Sequence, residues 1–190
     1  MRLAYEEFLD GTYFRRTGAH ALCLGSGGSG AALVHQLAER TDRPERIVVT
    51  GRRQVKLDEV RALIERSGLG DARIDYVLTA GPHDADELVA ALPAGSLVAN
   101  STGMGKDTPG SPLTDDVRFP TDAVIWDFNY RGTLEFLHQG RLRQASDELR
   151  IVDGWRYFIH GWTQVIADVF DIEMPQARVD RLAEIADGLR

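Results

Sequence analysis

Six short apolar runs recur along the chain, and their rhythm restricts its fold more than any other feature. They lie at residues 20–24, 46–50, 73–79, 96–101, 123–128 and 149–153. Most of the segments between them carry apolar residues at helical spacing, as at Val34, Leu37 and Ala38. Strands that are apolar throughout and alternate with helices are typical of a parallel sheet covered on both faces. We therefore expect an α/β fold, a doubly wound and mainly parallel sheet, with further helices at the C-terminus.

A glycine-rich turn, "LGSGGSG", follows the first of these runs. Gly25, Gly27 and Gly30 match G-x-G-x-x-G between a predicted strand and a predicted helix. There the first glycine permits a tight turn, the second lets backbone approach a pyrophosphate, and the third allows helix and strand to pack closely. Free N–H groups at the helix start meet the phosphates, and Ser26 and Ser29 add hydroxyl donors. The turn predicts a dinucleotide site, with a plain strand-to-helix turn as the alternative.

The end of the second run distinguishes between two dinucleotides. NAD-binding domains place Asp or Glu about 20 residues past the glycines, where the carboxylate accepts hydrogen bonds from the ribose 2′-hydroxyl. Here the chain reads "VVTGRRQVK", with Arg52, Arg53 and Lys56 and no carboxylate. Guanidinium groups are good partners for a 2′-phosphate, so NADP is favoured over NAD. The alternative is a solvated basic helix start, although cations at a helix N-terminus oppose its dipole.

Charge and composition argue against several classes of partner. The formal net charge of −7 disfavours nucleic acid, whose binding needs a basic surface. No apolar stretch approaches the roughly 18 residues of a membrane span, and the N-terminus lacks a signal-peptide core. The single Cys23 fits a reducing compartment. We expect a cytoplasmic protein that binds no nucleic acid, membrane or metal.

The chain divides into three predicted segments. Residues 1–19 form a short lead-in with weak helical character, 20–172 a Rossmann-type NAD(P)-binding domain, and 173–190 a C-terminal helix. Two helices are predicted near the end, over about 155–170 and 176–189, with Pro175 suited to the start of the second. Residues 103–120 are rich in Gly, Pro, Asp and Thr, and a long loop inside a compact domain is more often functional than idle.

Five motifs together resemble the C-terminal, NADP-binding domain of the shikimate and quinate dehydrogenases. "LGSGGSG" resembles that family's G-A-G-G-A/S loop, "GRRQVK" its N-R-T-x-x-R/K motif, and "VANSTGMG" its I-N-A-T-x-x-G motif. "WDFNY" is similar to Y-D-M-x-Y, and "DGWRYFIHGW" to D-G-x-x-M-L-V-x-Q-A. The resemblance runs in the right order over roughly residues 20–172, so it is far more specific than any single motif.

The resemblance implies positions for most of the cofactor site. The pyrophosphate would be held by Gly25, Ser26, Gly27, Gly28 and Ser29. The adenine side and the 2′-phosphate would be bound at Gly51, Arg52, Arg53 and Lys56. The cofactor would be lined at a strand end by Asn100, Ser101, Thr102 and Gly103, and the nicotinamide flanked by Phe128 and Gly154. The family tyrosine that contacts the substrate corresponds to Tyr130.

The departures from the family concern the chemistry. The family's catalytic lysine and aspartate belong to a separate N-terminal substrate domain that this sequence does not contain, so the catalytic residues stay unknown. The family glutamine falls on Gly161, with Gln164 a turn later, and Y-x-P-x-x-T is shortened to "YRGT". Lys106, His138 and His160 are titratable candidates. The stronger interpretations are non-catalytic: Lys106 is a solvated loop lysine, His138 lies on a polar helix face, and His160 is a partly buried helix residue.

We therefore expect an NADP-dependent oxidoreductase of the shikimate/quinate dehydrogenase type, which moves a hydride between the cofactor and a cyclic hydroxy acid or its ketone. The alternative is a stand-alone NADP-binding module or sensor. The expected partners are a small-molecule substrate, a separate substrate domain or chain, and a second copy in a homodimer. Four aromatic residues along one helical segment form either core or a former interdomain surface, namely Trp155, Tyr157, Trp162 and Phe170.

Overall fold

The six apolar runs form one parallel sheet. The computed structural model describes residues 1–188 and has strands β1 Ala21–Leu24, β2 Ile47–Gly51, β3 Ile74–Leu78, β4 Leu97–Asn100, β5 Val124–Asp127 and β6 Arg150–Val152. Their order is β3-β2-β1-β4-β5-β6, and every neighbouring pair is parallel. The predicted strands are confirmed to within one residue at each end.

Helices connect and flank these strands. They are α1 Arg2–Glu6, α2 Tyr13–Thr17, α3 Gly28–Glu39, α4 Gln54–Arg66, α5 Pro82–Ala90, α6 Glu135–Arg143, α7 Trp155–Phe170 and α8 Gln176–Asp187. The predicted helix over 155–170 is confirmed, and its successor ends at Asp187, with residue 189 of that prediction outside the described residues. Between residues 1 and 188, no helix has the length and apolar character needed to cross a bilayer.

Both faces of the sheet are covered. On one face, β1 and β2 pack against α3 and α4 through buried side chains such as Leu33, Leu37 and Leu57. On the other, α5, α6 and the loop over 103–120 contribute buried side chains such as Val89 and Phe136. Because no strand face of the central β1, β4 and β5 meets water, these strands are apolar except for Asn100 and Asp127 at the carboxyl ends of β4 and β5. The doubly wound α/β fold is confirmed.

The lead-in is built into the first of these cores. Tyr5, Leu9 and Phe14 are each at most 2% exposed and belong to the same cluster as the sheet. The backbone N–H groups of Phe14 and Arg15 donate to the Asp42 carboxylate at 3.0 and 2.8 Å. Helices of five residues are unstable alone, so this packing accounts for α1 and α2, which the sequence predicted only weakly. The segment boundaries themselves stay predictions.

The strand order fixes where a ligand can bind. The chain runs outward from β1 to β3, returns across the sheet, and continues outward from β4 to β6 on the other side of β1. The connections that follow β1 and β4 therefore diverge and leave a crevice at the carboxyl ends of these two strands. The glycine turn after β1 and the segment after β4 lie at this point.

Candidate functional site

A cleft of about 360 Å³ lies at the carboxyl ends of the strands, beside the glycine turn. It brings together nine residues predicted to bind cofactor: Gly25, Ser26, Gly27, Gly51, Arg52, Arg53, Lys56, Ser101 and Thr102. The sequence interpretation missed other lining residues, among them Thr50, Thr79, Gly81, Pro82, Met104 and Ser111. These residues lie at the ends of β2 and β3 or in and beside the long loop. Such positions indicated that they lie near the carboxyl edge of the sheet, but only the strand order brings them together.

Two glycines of the turn are required by the packing of the chain itself. Gly25 has φ +111°, and a Cβ there would lie 2.9 Å from the Ser101 Oγ. A Cβ on Gly30 would lie 2.1 Å from the carbonyl oxygen of Gly25, closer than atoms can approach. At Gly27 a Cβ would meet nothing within 4 Å, so its surface is open. The first and third glycines thus close the turn, while the second leaves room for a ligand.

The start of α3 offers backbone donors to an anion. The helix begins at Gly28 after the N-cap Gly27, with no side-chain capping hydrogen bond and no acidic residue in its first turn. The N–H groups of a first helical turn have no intrahelical partner, and the helix dipole is positive there. This end of α3 therefore suits a phosphate group.

The turn after β2 supplies positive charge to the same cleft. Arg52 and Arg53 are exposed, and within residues 1–188 neither guanidinium makes an ion pair or a hydrogen bond. The Lys56 Nζ lies 2.5 Å from the Glu59 Oε2, one turn along α4. The Ser26 hydroxyl occupies space that a side chain at Gly51 would need. The end of β2 thus carries two guanidinium groups that have no partner among the described residues, and it carries no carboxylate. This arrangement suits the 2′-phosphate of a nucleotide rather than the two hydroxyl groups of a ribose.

A buried polar network lies behind the cleft wall, between the ends of β4 and β5. The Asn100 side chain donates to the Asp127 Oδ1 at 3.1 Å, and the Asn129 backbone N–H donates to the same oxygen at 2.9 Å. The Asn100 Oδ1 accepts hydrogen bonds from the Thr102 N–H and hydroxyl. The Asn129 side chain donates to the Met104 carbonyl at 2.8 Å. The network therefore fixes the segment that carries Thr102 and Met104 into the cleft.

Asp127 is the electrostatic centre of this network. Its side chain is inaccessible to solvent, and its Oδ2 accepts no hydrogen bond within residues 1–188. Burial raises the pKa of Asp127 to about 7, Asp153 raises it further, and the hydrogen bonds from Asn129 and Asn100 oppose the shift. The carboxylate thus accepts one backbone hydrogen bond, from Asn129, and no local sequence pattern indicates the raised pKa. This carboxyl group gains or loses a proton near neutral pH.

The long loop over 103–120 is held firmly against α6 and α5. The Ser111 hydroxyl donates to the Gln139 side chain at 2.7 Å, and the Gly110 N–H donates to Glu135 at 3.2 Å. The Thr114 N–H donates to Asp86 at 3.1 Å. These contacts position Met104 and Ser111 in the cleft wall, so the loop contributes to the site that its composition indicated.

The predicted nicotinamide and substrate residues form a second group, at the ends of β5 and β6. Phe128 is 7% exposed, and its ring packs against Trp126 and Tyr157 at centroid distances of 4.3 and 4.9 Å. The buried Gly154 donates its N–H to the Asn129 carbonyl at 3.0 Å. The Tyr130 ring stacks on Phe158 at 4.2 Å. The structure does not place these residues in the cleft wall, and their roles stay predictions.

Four further predicted cofactor residues lie around the cleft rather than in its wall. Gly28 lines a neighbouring groove between α3 and α1, together with Met1 and Ala31. Asn100 is completely buried in the network behind the wall. Ser29 lies in the first turn of α3, and Gly103 in the segment after β4, where its φ is +75°.

The three titratable candidates lie outside the cleft wall. The Lys106 Nζ pairs with the Asp107 carboxylate at 3.1 Å on the loop. His138 is exposed on α6. His160 is 1% exposed, and its Nε2 lies 2.7 Å from the Glu7 Oε1, which joins α7 to the lead-in. These positions agree with the non-catalytic interpretations, although His160 is fully rather than partly buried. In the described part of the chain, no group of three or more His, Cys, Asp or Glu side chains is arranged to hold a metal ion.

Comparisons with known proteins show what the chain resembles. No model of a known protein family matches the sequence. The chain is 35% identical over 147 residues to the shikimate dehydrogenase (NADP(+)) of Methylobacterium radiotolerans, a match that covers 76% of this chain and 45% of that protein. The chain thus spans about half the length of the curated relatives that it matches.

Solved structures show the same fold. The crystal structure of shikimate 5-dehydrogenase from Listeria monocytogenes, in complex with shikimate and NAD, has a TM-score of 0.65 at 18% identity, covering 93% of this chain and 61% of that one. The 5-ketofructose reductase of a Gluconobacter strain has a TM-score of 0.61 at 16% identity, covering 96% and 60%. At such identities the likeness concerns the fold alone. The chain is thus similar in sequence to part of the shikimate dehydrogenases, as its motifs predicted, and it shares the fold of their solved structures.

Proposed function

We propose, from this likeness to shikimate dehydrogenases, that the chain binds NADP(H) and acts in an oxidoreductase of the shikimate/quinate dehydrogenase type. The observation that carries the proposal is the pair of unpartnered guanidinium groups, Arg52 and Arg53, which share one cleft with the glycine turn. A carboxylate at the end of β2, which would favour NAD, is absent from the sequence there.

The residues of the cleft fit the parts of this cofactor. The N–H groups at the start of α3 and the Ser26 hydroxyl would bind the pyrophosphate. Arg52, with Arg53 and Lys56 beside it, would bind the 2′-phosphate through charge-assisted hydrogen bonds. The segment after β4, held by Asn100 and Asp127, would guide the cofactor towards the ends of β5 and β6.

The second group of residues would serve the reacting end. NADP, when bound, accepts or supplies the hydride. Gly154 and the backbone at Phe128 would border the nicotinamide, and Tyr130 would contact a cyclic hydroxy acid or ketone. A fold likeness to both a shikimate dehydrogenase and a 5-ketofructose reductase does not choose between substrates, so shikimate and quinate are the first to test because of the sequence motifs.

Equilibrium binding tests the cofactor half of the proposal. We expect the purified chain to bind NADPH at least 10-fold more tightly than NADH in titrations that follow nucleotide fluorescence, because two guanidinium groups gain a dianionic partner. Equal affinity for the two nucleotides would overturn the assignment. A higher salt concentration should weaken the binding of NADPH more than the binding of NADH, because the contacts between the 2′-phosphate and the guanidinium groups are ionic.

Turnover tests the reaction. NADP reduction is followed by the absorbance of the reduced nicotinamide, with shikimate and with quinate as substrates. The chain is assayed first alone and then after addition of a separately expressed substrate domain from a relative. Reduction with either substrate supports the dehydrogenase. Tight NADPH binding without reduction under either condition would replace it with the alternative, a stand-alone NADP-binding module.

A further inference from the structure

The outer face of α7 carries an apolar row that no part of the described chain covers. Trp162, Val165 and Val169 are 57, 50 and 71% exposed. Flanking them, Ile166, Phe170 and Ile172 are 36, 68 and 42% exposed. Soluble proteins rarely expose so many large apolar side chains together without an interaction to explain them. Of the four aromatic residues expected in the core or at a former interdomain surface, Trp162 and Phe170 are exposed, whereas Tyr157 packs in the core against Phe128.

The spacing within this face is that of a helix that pairs with another helix. We define the α7 seam as Trp155, Phe158, Trp162, Val165, Val169 and Ile172. Trp155 and Phe158 are half-buried beside α8, the next three are exposed on α7, and Ile172 lies just beyond the helix end. The intervals along the seam alternate between three and four residues, which is the a/d repeat of a two-helix coiled coil. No residue of the seam is charged. The seam therefore indicates one partner helix rather than a polar or charged ligand.

We propose that the α7 seam is a dimer interface in which α7 of a second copy of this chain packs antiparallel to the first. The seam complements itself in that orientation. A two-fold axis between positions 163 and 164 places Trp162 opposite Val165, Phe158 opposite Val169, and Trp155 opposite Ile172 of the second copy. Each layer then joins an a position to a d position, as antiparallel helix pairs require. This inference goes beyond the proposed function and does not depend on cofactor binding.

The area of the seam is sufficient for such a dimer. The exposed parts of its side chains, with Ile166 and Phe170, amount to roughly 500 Å² on each copy. Two copies therefore bury on the order of 1,000 Å² of apolar surface before the polar rim is counted, which reaches the threshold for a specific interface. Gly161 lies beside the seam in the middle of α7, and a Cβ there would meet nothing within 4 Å. Nothing in the described chain requires this glycine, whereas a close helix partner would.

The dimer also closes one end of the candidate site. Tyr130 stacks on Phe158, and Phe158 contacts Trp162 edge-to-face at 6.3 Å, so the seam continues into the predicted substrate region. In the antiparallel register, the C-terminal end of α7 from the second copy lies over Trp155 and Phe158. Each copy thus shields the aromatic group around Tyr130 and Phe158 of its neighbour from solvent.

Light scattering coupled to size exclusion tests the dimer. At about 50 μM, where interfaces of this size are commonly occupied, we expect the wild type at twice the 21.1 kDa of one chain. The W162E and V169E variants should dissociate at least 100-fold more readily, with unchanged circular dichroism, since both side chains are exposed in the single chain. The matched control is L142E, because Leu142 is 86% exposed on α6, outside the seam. A monomeric wild type, or a dimer that W162E does not weaken, would overturn the proposal. A monomeric wild type would indicate that the seam binds a separate substrate domain instead.

Disulfide trapping tests the orientation. Chains that carry W162C are mixed with tagged chains that carry V165C and are then oxidised. Antiparallel pairing should give the mixed W162C–V165C dimer as the main product. A parallel pair would instead join W162C to itself, and that result would overturn the register. The native Cys23 is buried and should not contribute, which oxidation of the wild type verifies.

Discussion

The carboxyl edge of the sheet has two halves, one around β1 and β2 and one around β5 and β6, and they differ in how much of a binding site this chain supplies. The half around β1 and β2 has a closed turn, free backbone donors and cationic side chains within one cleft. The half around β5 and β6 ends in stacked aromatic rings that lead onto the exposed α7 seam. We therefore expect the first half to hold a nucleotide within this chain, and the second to be completed by a partner. A phosphate site can be built from one turn and one helix start, but a closed pocket for a ring substrate needs walls on several sides.

The largest expected effect is at the glycine turn of the first half. Gly30→Ala places a Cβ against the Gly25 carbonyl, and backbone cannot move aside as a flexible side chain can. We expect a loss of about 3 kcal/mol or more in the free energy of unfolding, and loss of NADPH binding. Urea denaturation and nucleotide titration measure the two effects.

The matched variant is Gly27→Ala, where the added Cβ meets no protein atom. It should leave the free energy of unfolding within about 1 kcal/mol of the wild type and still weaken NADPH binding. Equal destabilisation by both variants would show that the motif serves folding only.

The next effect concerns Asp127, which lies where the two halves meet. Its pKa of about 7 lies above the ordinary 3.8, so the folded chain keeps a proton that the unfolded chain releases. Stability from this group therefore falls as pH rises from about 4 to about 7, by an amount on the order of 4 kcal/mol. D127N mimics the protonated group and should remove this slope.

The measurement is urea denaturation of wild type and D127N at pH 5.5 and at pH 8. Their difference isolates Asp127 from His20, whose pKa is lowered by burial and whose contribution to stability rises with pH. D127N should gain stability relative to the wild type at the higher pH. Parallel pH profiles of the two proteins would contradict the buried-carboxyl explanation.

The next prediction concerns one cationic side chain of the half around β1 and β2. R52A should raise the Kd for NADPH by about 10- to 100-fold, because a hydrogen bond to a charged group contributes roughly 1.5–3 kcal/mol. NADH, which has no 2′-phosphate, should bind as before. R66A, in the last turn of α4, is the control for charge alone. A similar loss for both nucleotides would indicate a general electrostatic effect instead of 2′-phosphate recognition.

The smallest effect is expected at Lys106. Its ammonium group pairs with Asp107 on the loop, and a pair of this kind contributes less than about 1 kcal/mol. K106A should change the melting temperature by no more than about 2 °C and leave NADPH affinity unchanged. If a substrate is found, steady-state kinetics of K106A should match the wild type, and a collapse of kcat would identify Lys106 as a catalytic residue after all.

The fold and the first half of the site were predictable for a definite reason. A strand that is buried on both faces is mostly apolar, Gly30 is dictated by the Gly25 carbonyl within the same short turn, and Gly25 by its own φ of +111°. The basic residues Arg52 and Arg53 follow directly on β2, so their location at the same edge followed from the parallel order of the strands. Local pattern and topology were enough for these features.

Other parts of the site depend on contacts between distant residues. Thr79 and Ser111 lie in the cleft wall because strand order and loop anchoring bring them there. The raised pKa of Asp127 comes from burial under side chains of other elements, which no local pattern of letters encodes. Phe128 matches a family motif, but its ring packs into the core because Trp126 and Tyr157 surround it.

The sequence by itself determined the parallel sheet, the glycine turn and the cationic turn after β2, because each depends on residues that are neighbours in the chain. The tertiary structure decided that the lead-in belongs to the core, that Lys106, His138 and His160 lie away from the cleft, and that the α7 seam faces outward. An apolar helix pattern is compatible with burial against the chain's own sheet or against another molecule. The packing of α8 and the lead-in against α7, which also half-buries Trp155 and Phe158, shows which part of the helix is left exposed.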